Sequence, residues 1–164
     1  MEAVVVYESL WGNTAAIARA IAEGIGPEAR ALTTTEATGE AIANADLIVA
    51  GAPLLAFRLP TEKVRESLRA NRGREPAPDL SNPSMRSWLA ALPPGHGRSA
   101  GFETRFRWSP GSATAAIVRG LERAGYRLVA KAHRFIVKGT YGPLRDGEIE
   151  RARQWGAELA KAMG

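Results

Sequence analysis

The stretch SLWGNT, residues 9 to 14, sets three short polar side chains, Ser9, Asn13 and Thr14, around Gly12, with Leu10 and Trp11 between them. It follows an apolar run, Ala3 to Tyr7, and passes without a break into a pattern in which Ile17, Ile21 and Ile25 recur every fourth residue. A loop placed between a strand and a helix turns its backbone N–H groups, and the positive end of the helix dipole, toward whatever lies beyond the strand. The result is an anion cradle that needs no lysine, and Gly12 lets a phosphate come close to the backbone. Two familiar phosphate motifs are missing. There is no G-x-x-x-x-G-K-[ST], so neither the lysine nor the magnesium ligand of a nucleoside triphosphatase is present. There is no G-x-G-x-x-G, which speaks against a dinucleotide fold. The competing reading is structural: Ser9 or Asn13 as a plain helix cap and Trp11 as packing.

Other chemistries are limited by composition. The chain has no cysteine, which removes disulfides, thiolate metal sites and a thiol nucleophile, so any redox chemistry must come from a bound cofactor. His96 and His133 are far apart in sequence and lack ligand spacing; no metal site is expected, and both read as surface or loop residues. The net charge is +5, but the arginines are scattered through every segment rather than gathered in one arm, so nucleic acid is not an expected partner. No apolar run is long enough to cross a bilayer and no signal-like segment opens the chain, so membrane insertion is not expected and a cytoplasmic location is.

The elements that must position the cradle follow from periodicity. Ala3 to Tyr7 and Asp46 to Ala52 are continuous apolar runs, as in strands covered on both faces. Ala29 to Thr33, Arg98 to Glu103 and Leu128 to Val137 are weaker strands, the last with an edge-like mixture. Helical stripes run through Ile17, Ile21 and Ile25, and through Ala113, Ile117, Leu121 and Ala124 with Gly125 as a stop. A last helix begins at Asp146 as N-cap, with Ile149, Ala152, Gly156 and Leu159 facing inward. Ser109 and Pro110 read as an N-cap and first-turn pair before the preceding helix. Strands alternating with helices imply right-handed βαβ units. The fold expected is α/β, a doubly wound open sheet of five parallel strands, formed by residues 1–164 as one domain. Residues 71–97, rich in Pro, Gly and Asn with one short helical piece at Met85 to Leu92, interrupt the rhythm as an elaborated connection. That connection reads either as a solvated loop or as a lid or partner contact.

Ser9, Gly12, Asn13 and Thr14 match the phosphate loop of the flavodoxins, with Trp11 where a hydroxyl residue is usual. The wider stretch YESLWGNTAAIARAIAEGI resembles the opening of small flavodoxin-domain proteins, DLIVAGAPLLAF is similar to their third strand and flavin loop, and GFETRFRWSPGSATA and KGTYGPLRDGEIERARQWGAEL resemble their later segments. The resemblance implies a three-layer α/β/α sandwich, strand order 2-1-3-4-5, and FMN held by three loops. In that reading Ser9, Leu10, Trp11, Gly12, Asn13 and Thr14 hold the phosphate. Pro53, Leu54, Leu55, Ala56 and Phe57 pass one side of the flavin ring, with Phe57 able to stack on it. Glu103, Thr104 and Arg105 begin a third loop, running to Gly111, that borders the other side, with Trp108 or Phe106 as its stacking aromatic and Trp108 reading equally as a surface plug. Glu103 has a plain alternative as the ion-pair partner of Arg105 or Arg107.

The resemblance also frames the chemistry. Leu54 and Leu55 stand where relatives often carry polar residues, and no glycine follows Phe57, which raises the cost of the unusual backbone conformations that such a loop adopts. Arg58, Arg105 and Arg107 lie in the two flavin loops opposed only by Glu103, and positive charge beside the ring favours its fully reduced anion. The expectation is therefore two-electron behaviour. No general acid or base stands out, and catalytic residues stay unassigned. Three functions follow: an FMN oxidoreductase working between a reduced pyridine nucleotide or other donor and a quinone-like acceptor, a one-electron carrier docking with a protein redox partner, or a flavodoxin-fold binding domain that has lost FMN. The basic loops suit an anionic substrate or partner.

Overall fold

The computed structural model describes residues 1–71 and 76–164. Residues 72–75, part of the expected connection, lie outside the described residues. In chain order the elements are β1 (Ala3–Tyr7), α1 (Asn13–Ile25), β2 (Ala29–Thr33), α2 (Gly39–Ile42), β3 (Leu47–Pro53), α3 (Glu62–Ala70), α4 (Met85–Ala90), β4 (Arg98–Arg105), α5 (Thr114–Arg123), β5 (Arg127–Leu128), β6 (His133–Ile136) and α6 (Glu148–Met163). All the pairings between these strands are parallel. The sheet order is β2-β1-β3-β4-β5, with β6 also on β4.

Every residue of β1 and β3 is buried, as the unbroken apolar runs require of strands covered on both sides. Val5, Val49, Ala100 and Phe102 face Ile17, Ile21, Trp155 and Leu159 of α1 and α6. Val4, Val6, Ile48 and Ala50 face Met85, Leu89, Ile117 and Leu121 of α4 and α5. Each fully buried Val, Ile or Leu contributes about 1.5–3 kcal/mol relative to exposure, so these two half-cores hold the sheet between its layers.

Several expectations are corrected. The fifth strand is not one run from Leu128 to Val137 but two pieces: Arg127 lies opposite Arg98 and His133 opposite Phe102, and the residues between them loop out. β4 continues to Arg105 because β3 and β6 both pair with its last residues, so Glu103, Thr104 and Arg105 are strand residues and the loop starts after them. α5 begins at Thr114, not at Ser109 and Pro110. α6 takes Gly147 as its N-cap rather than Asp146, and buries Glu148 and Trp155 while Ile149 faces out. α3 carries no long apolar stripe; Thr61 caps it by accepting the Val64 N–H, and its buried residue is Arg65. His133 is not a surface residue: its ring stacks on Trp155 at 5.0 Å and 29°.

Candidate functional site at the carboxyl ends of the strands

In register, Tyr7 at the end of β1 lies beside Gly51 and Gly51 beside Phe102, while β3 runs on to Pro53 and β4 to Arg105, so the carboxyl ends of β3 and β4 rise beyond that of β1 on the same side of the sheet. From β1 the chain moves outward to β2 and then crosses back to β3 on the other side. The crevice beyond the strand ends at such a reversal is where open α/β sheets hold ligands. A cavity of about 350 Å³ occupies it.

The first loop supplies Leu10, Trp11, Asn13 and Thr14 to the cavity wall. Ser9 and Gly12 border a second groove, on the β2 side of the same loop, together with Arg19. Gly12 sits at φ 94°, a left-handed conformation that favours glycine, and immediately precedes α1. Ser9 Oγ accepts the Gly12 N–H at 3.1 Å, so the serine braces the loop rather than capping the helix. No side chain caps α1, and its first intrahelical bond runs from Ala16 N–H to Gly12 carbonyl. Among the described residues the N–H groups of Asn13, Thr14 and Ala15 therefore remain as unpaired first-turn donors. Thr14 Oγ1 lies 2.8 Å from Thr104 Oγ1, tying the loop to β4.

Trp11 has acquired its own task. Its indole N–H donates to the Pro76 carbonyl at 3.2 Å, and its ring meets Tyr141 edge-on at 5.0 Å. Asp79 N–H donates to the Leu10 carbonyl. Glu8, next to the loop, receives Arg65 at 2.6 Å and the Met85 N–H at 3.0 Å, while Arg65 also donates to the Asn82 carbonyl. Burial raises the Glu8 carboxyl above its ordinary range despite these contacts. The described part of the connection is thus a brace strapped to the back of the phosphate-type loop, and none of its described residues lines the cavity.

In the second loop Pro53 ends β3, Leu54 is buried, and Leu55, Ala56 and Phe57 complete one wall. Leu55 and Arg58 exchange backbone bonds at 3.0 and 3.1 Å, which closes a two-residue turn. Ala56 and Phe57 occupy it at φ 49° and 69°, a left-handed pair that non-glycine residues hold at a cost of order 1 kcal/mol each. The Phe57 carbonyl accepts the Ser112 N–H, so the turn is fastened to the third loop.

Thr104, Arg105, Phe106 and Ser109 form the opposite wall. Glu103 is fully buried behind it. One carboxylate oxygen accepts the N–H groups of Ala113 and Thr114, capping α5 from a distance, and the other takes Arg105 at 2.8 Å. Arg105 also donates to the carbonyls of Phe106, Ser109 and Gly111, which fixes the loop. Its charge is matched by Glu103, the ion-pair alternative for that carboxylate, and Arg105 therefore does not act as the isolated cation on which the two-electron expectation partly rested. Trp108 is 84% exposed, with the Arg107 guanidinium 4.9 Å from its ring centre, and it is not part of the cavity wall. Arg58 is exposed.

A fourth loop, not anticipated as part of the site, adds Val137 and Thr140 to the cavity and Tyr141 to the neighbouring groove. The sequence did signal a tight turn there, in the Gly, Thr, Tyr, Gly, Pro series at 139–143, but not where it would pack. No group of three His, Asp or Glu among the described residues is arranged to hold a metal ion, and no helix among them is long and apolar enough to cross a membrane.

No family model matches the sequence, and the search of curated proteins finds no match. Solved structures do match. A flavodoxin from the domain Archaea superposes with a TM-score of 0.69 at 21% identity, covering 99% of both chains. Oxidised flavodoxin 1 from Bacillus cereus gives 0.68 at 19%, covering 98% of each. The flavodiiron core protein from Synechocystis gives 0.62 at 22% over 99% of this chain and 36% of its own. At such identities what is shared is architecture, and over its whole length the chain has the flavodoxin fold.

Proposed function

We propose that the protein binds FMN in the cavity at the strand ends and works as an electron-transfer protein. The observation that carries this reading is the cradle before α1, where three first-turn N–H groups have no acceptor among the described residues and lie at the switch point of the sheet. A phosphate monoester suits that donor set. The atom a side chain would add at Gly12 meets nothing within 4 Å, so the backbone there faces open space. Beside the cradle, walls of Leu54, Leu55, Phe57 and Phe106 with Thr104 and Thr140 between them suit a planar aromatic ring with polar edges.

Bound FMN would supply the redox chemistry that a chain without cysteine lacks. Asn13, Thr14 and the N–H groups of the first turn would hold its phosphate. The Ala56–Phe57 turn on one side and Thr104, Phe106 and Ser109 on the other would flank its ring and limit the access of water. Thr14 and Thr104, sharing one hydrogen bond, would retain one free hydroxyl proton between them for the ligand.

Two uses of the electrons are open to such a site. Turnover between a reduced pyridine nucleotide or other donor and a quinone-like acceptor is the oxidoreductase reading. The carrier reading is favoured by the Glu103–Arg105 pair, which removes one of the three charges on which two-electron behaviour rested. Titration with FMN, followed by flavin fluorescence and absorbance, tests the common premise. Saturable binding that Gly12→Asp weakens at least about a hundredfold is expected, since the new carboxylate sets a negative charge next to the first-turn N–H groups. Absence of binding in the unchanged protein overturns the reading.

A further inference from the structure

We propose that the rim of this cavity is a docking face for an acidic one-electron redox protein, an inference that rests on the FMN reading and names the partner of the same site. Phe57, Phe106, Trp108 and Tyr141 are 61, 42, 84 and 45% exposed, and each belongs to a loop that forms the cavity wall. The other exposed large apolar side chains, Met1, Leu128 and Ile149, lie on other elements. Exposed apolar groups scattered singly need no explanation, whereas four gathered around one opening do.

Charge on the rim is one-sided. Arg58 and Arg107 are exposed, and among the described residues neither has a carboxylate within ion-pair distance. Of the carboxylates on the same loops, Glu103 is buried against Arg105, and Asp146 is exposed with the Lys138 ammonium 3.6 Å away to offset its charge. Arg107 rests over Trp108, an arrangement that holds the guanidinium flat and leaves N–H edges for a partner's carboxylates. Trp, Phe, Tyr and Arg are the side chains that protein interfaces favour.

The occupant is a protein rather than a small molecule because the most exposed of these rings, Trp108, lies outside the cavity. Trp108 is no part of its wall, so a ligand seated within leaves that ring and Arg107 untouched. A broad acidic face would cover the aromatic groups while its carboxylates meet Arg58 and Arg107. Transfer across this face moves one electron from the reduced partner to the bound flavin, with no bond made or broken between the proteins, and any proton comes from water.

The test uses a plant-type [2Fe–2S] ferredoxin as the acidic donor, reduced stoichiometrically and mixed with the FMN-loaded protein by stopped flow. The second-order rate constant is expected to fall about tenfold or more between roughly 20 and 500 mM NaCl. The double variant Arg58→Glu, Arg107→Glu is expected to lose about tenfold at low salt, and Trp108→Ala to lose rate at every salt concentration, with FMN affinity unchanged in both. A rate indifferent to salt, or one unchanged or raised by charge reversal, overturns the docking face. FMN titrations of the same samples report separately on the cofactor. Calorimetric binding of oxidised ferredoxin without added FMN reads docking by itself: salt-sensitive binding lost in the double variant supports the face even if FMN fails, and no binding to an FMN-loaded sample overturns the face while the FMN reading stands.

Discussion

Thr14 Oγ1 and Thr104 Oγ1 lie 2.8 Å apart with both side chains buried, so one hydrogen bond joins the start of α1 to the end of β4 across the floor of the cavity. Thr104→Val leaves the Thr14 hydroxyl without its protein partner. The expected cost is about 1 kcal/mol in stability together with a severalfold loss of FMN affinity. Thr104→Ser restores both. Thermal unfolding and a flavin fluorescence titration check this, and unchanged affinity in Thr104→Val removes the pair from the binding site.

Substitutions at Gly12 separate backbone strain from charge. Its φ of 94° makes Gly12→Ala strained by about 1–2 kcal/mol, although no neighbouring atom obstructs the added carbon. The fold is expected to survive with a lowered denaturation midpoint and a modest loss of FMN binding. Gly12→Asp is expected to carry a similar stability cost but to lose binding almost entirely. If the two variants bind FMN alike, phosphate does not sit at this loop.

The Glu8–Arg65 pair fastens α3 and the connection to the first loop. Both side chains are buried, so Arg65→Met alone strands a carboxylate in the interior and is expected to cost about 3–5 kcal/mol by urea denaturation. Glu8→Gln combined with Arg65→Met is expected to recover much of that loss. In Arg65→Met the connection should also be cut faster by trypsin, because the Asn82 carbonyl has lost its tether. Equal losses in the single and double variants would show that packing, not charge, sets the cost.

A pH effect is expected at His133. Burial first, and the charge of Arg151 second, depress its pKa, while Glu158 and Glu148 act in the opposite direction. Arg151 Nη1 stands 3.2 Å from the ring nitrogen Nε2. The unfolded chain therefore takes up this proton more readily than the native one. The stabilising contribution is complete above the ordinary histidine pKa of about 6.5 and declines as pH falls below it toward the depressed native value. His133→Phe keeps a ring against Trp155 and does not titrate, so its thermal midpoint should fall less than that of the unchanged protein between pH 7 and 5. The raised Glu8 pKa acts with the opposite sign but is common to both proteins and cancels in the difference. Parallel pH profiles would mean that His133 does not titrate differently on folding.

Local pattern revealed the central strands and the helix after the phosphate-type loop, because apolar runs and stripes report burial directly, while the strand order came from the resemblance to flavodoxins. Contacts distant in sequence left no such trace. Arg65 is buried through an ion pair with Glu8, so α3 lacks the apolar stripe that would mark it. Glu103 caps α5 from a neighbouring strand, and local capping residues at 109 and 110 misplace the helix start. At the site, the first loop was legible from residue type and order, and the Pro53 to Phe57 wall from the resemblance to flavodoxins. The Glu103–Arg105 pair and an outward Trp108 were each open in the sequence as alternatives, whereas the packing of the loop bearing Thr140 was not legible, since it depends on how separate loops meet.

At Gly24 an added carbon would stand 1.9 Å from the Arg153 carbonyl oxygen, and at Gly156 one would stand 2.2 Å from that of Ile21, so α1 and α6 meet backbone against backbone. The helix that begins at the phosphate-type loop is therefore completed by a partner from the opposite end of the chain, after the entire sheet has been made. During synthesis α1 must wait with one apolar side uncovered until residues 148–163 have left the ribosome. A nascent chain stalled before residue 148 would carry SLWGNT in full yet leave the helix behind it packed on the sheet alone, with its other side bare.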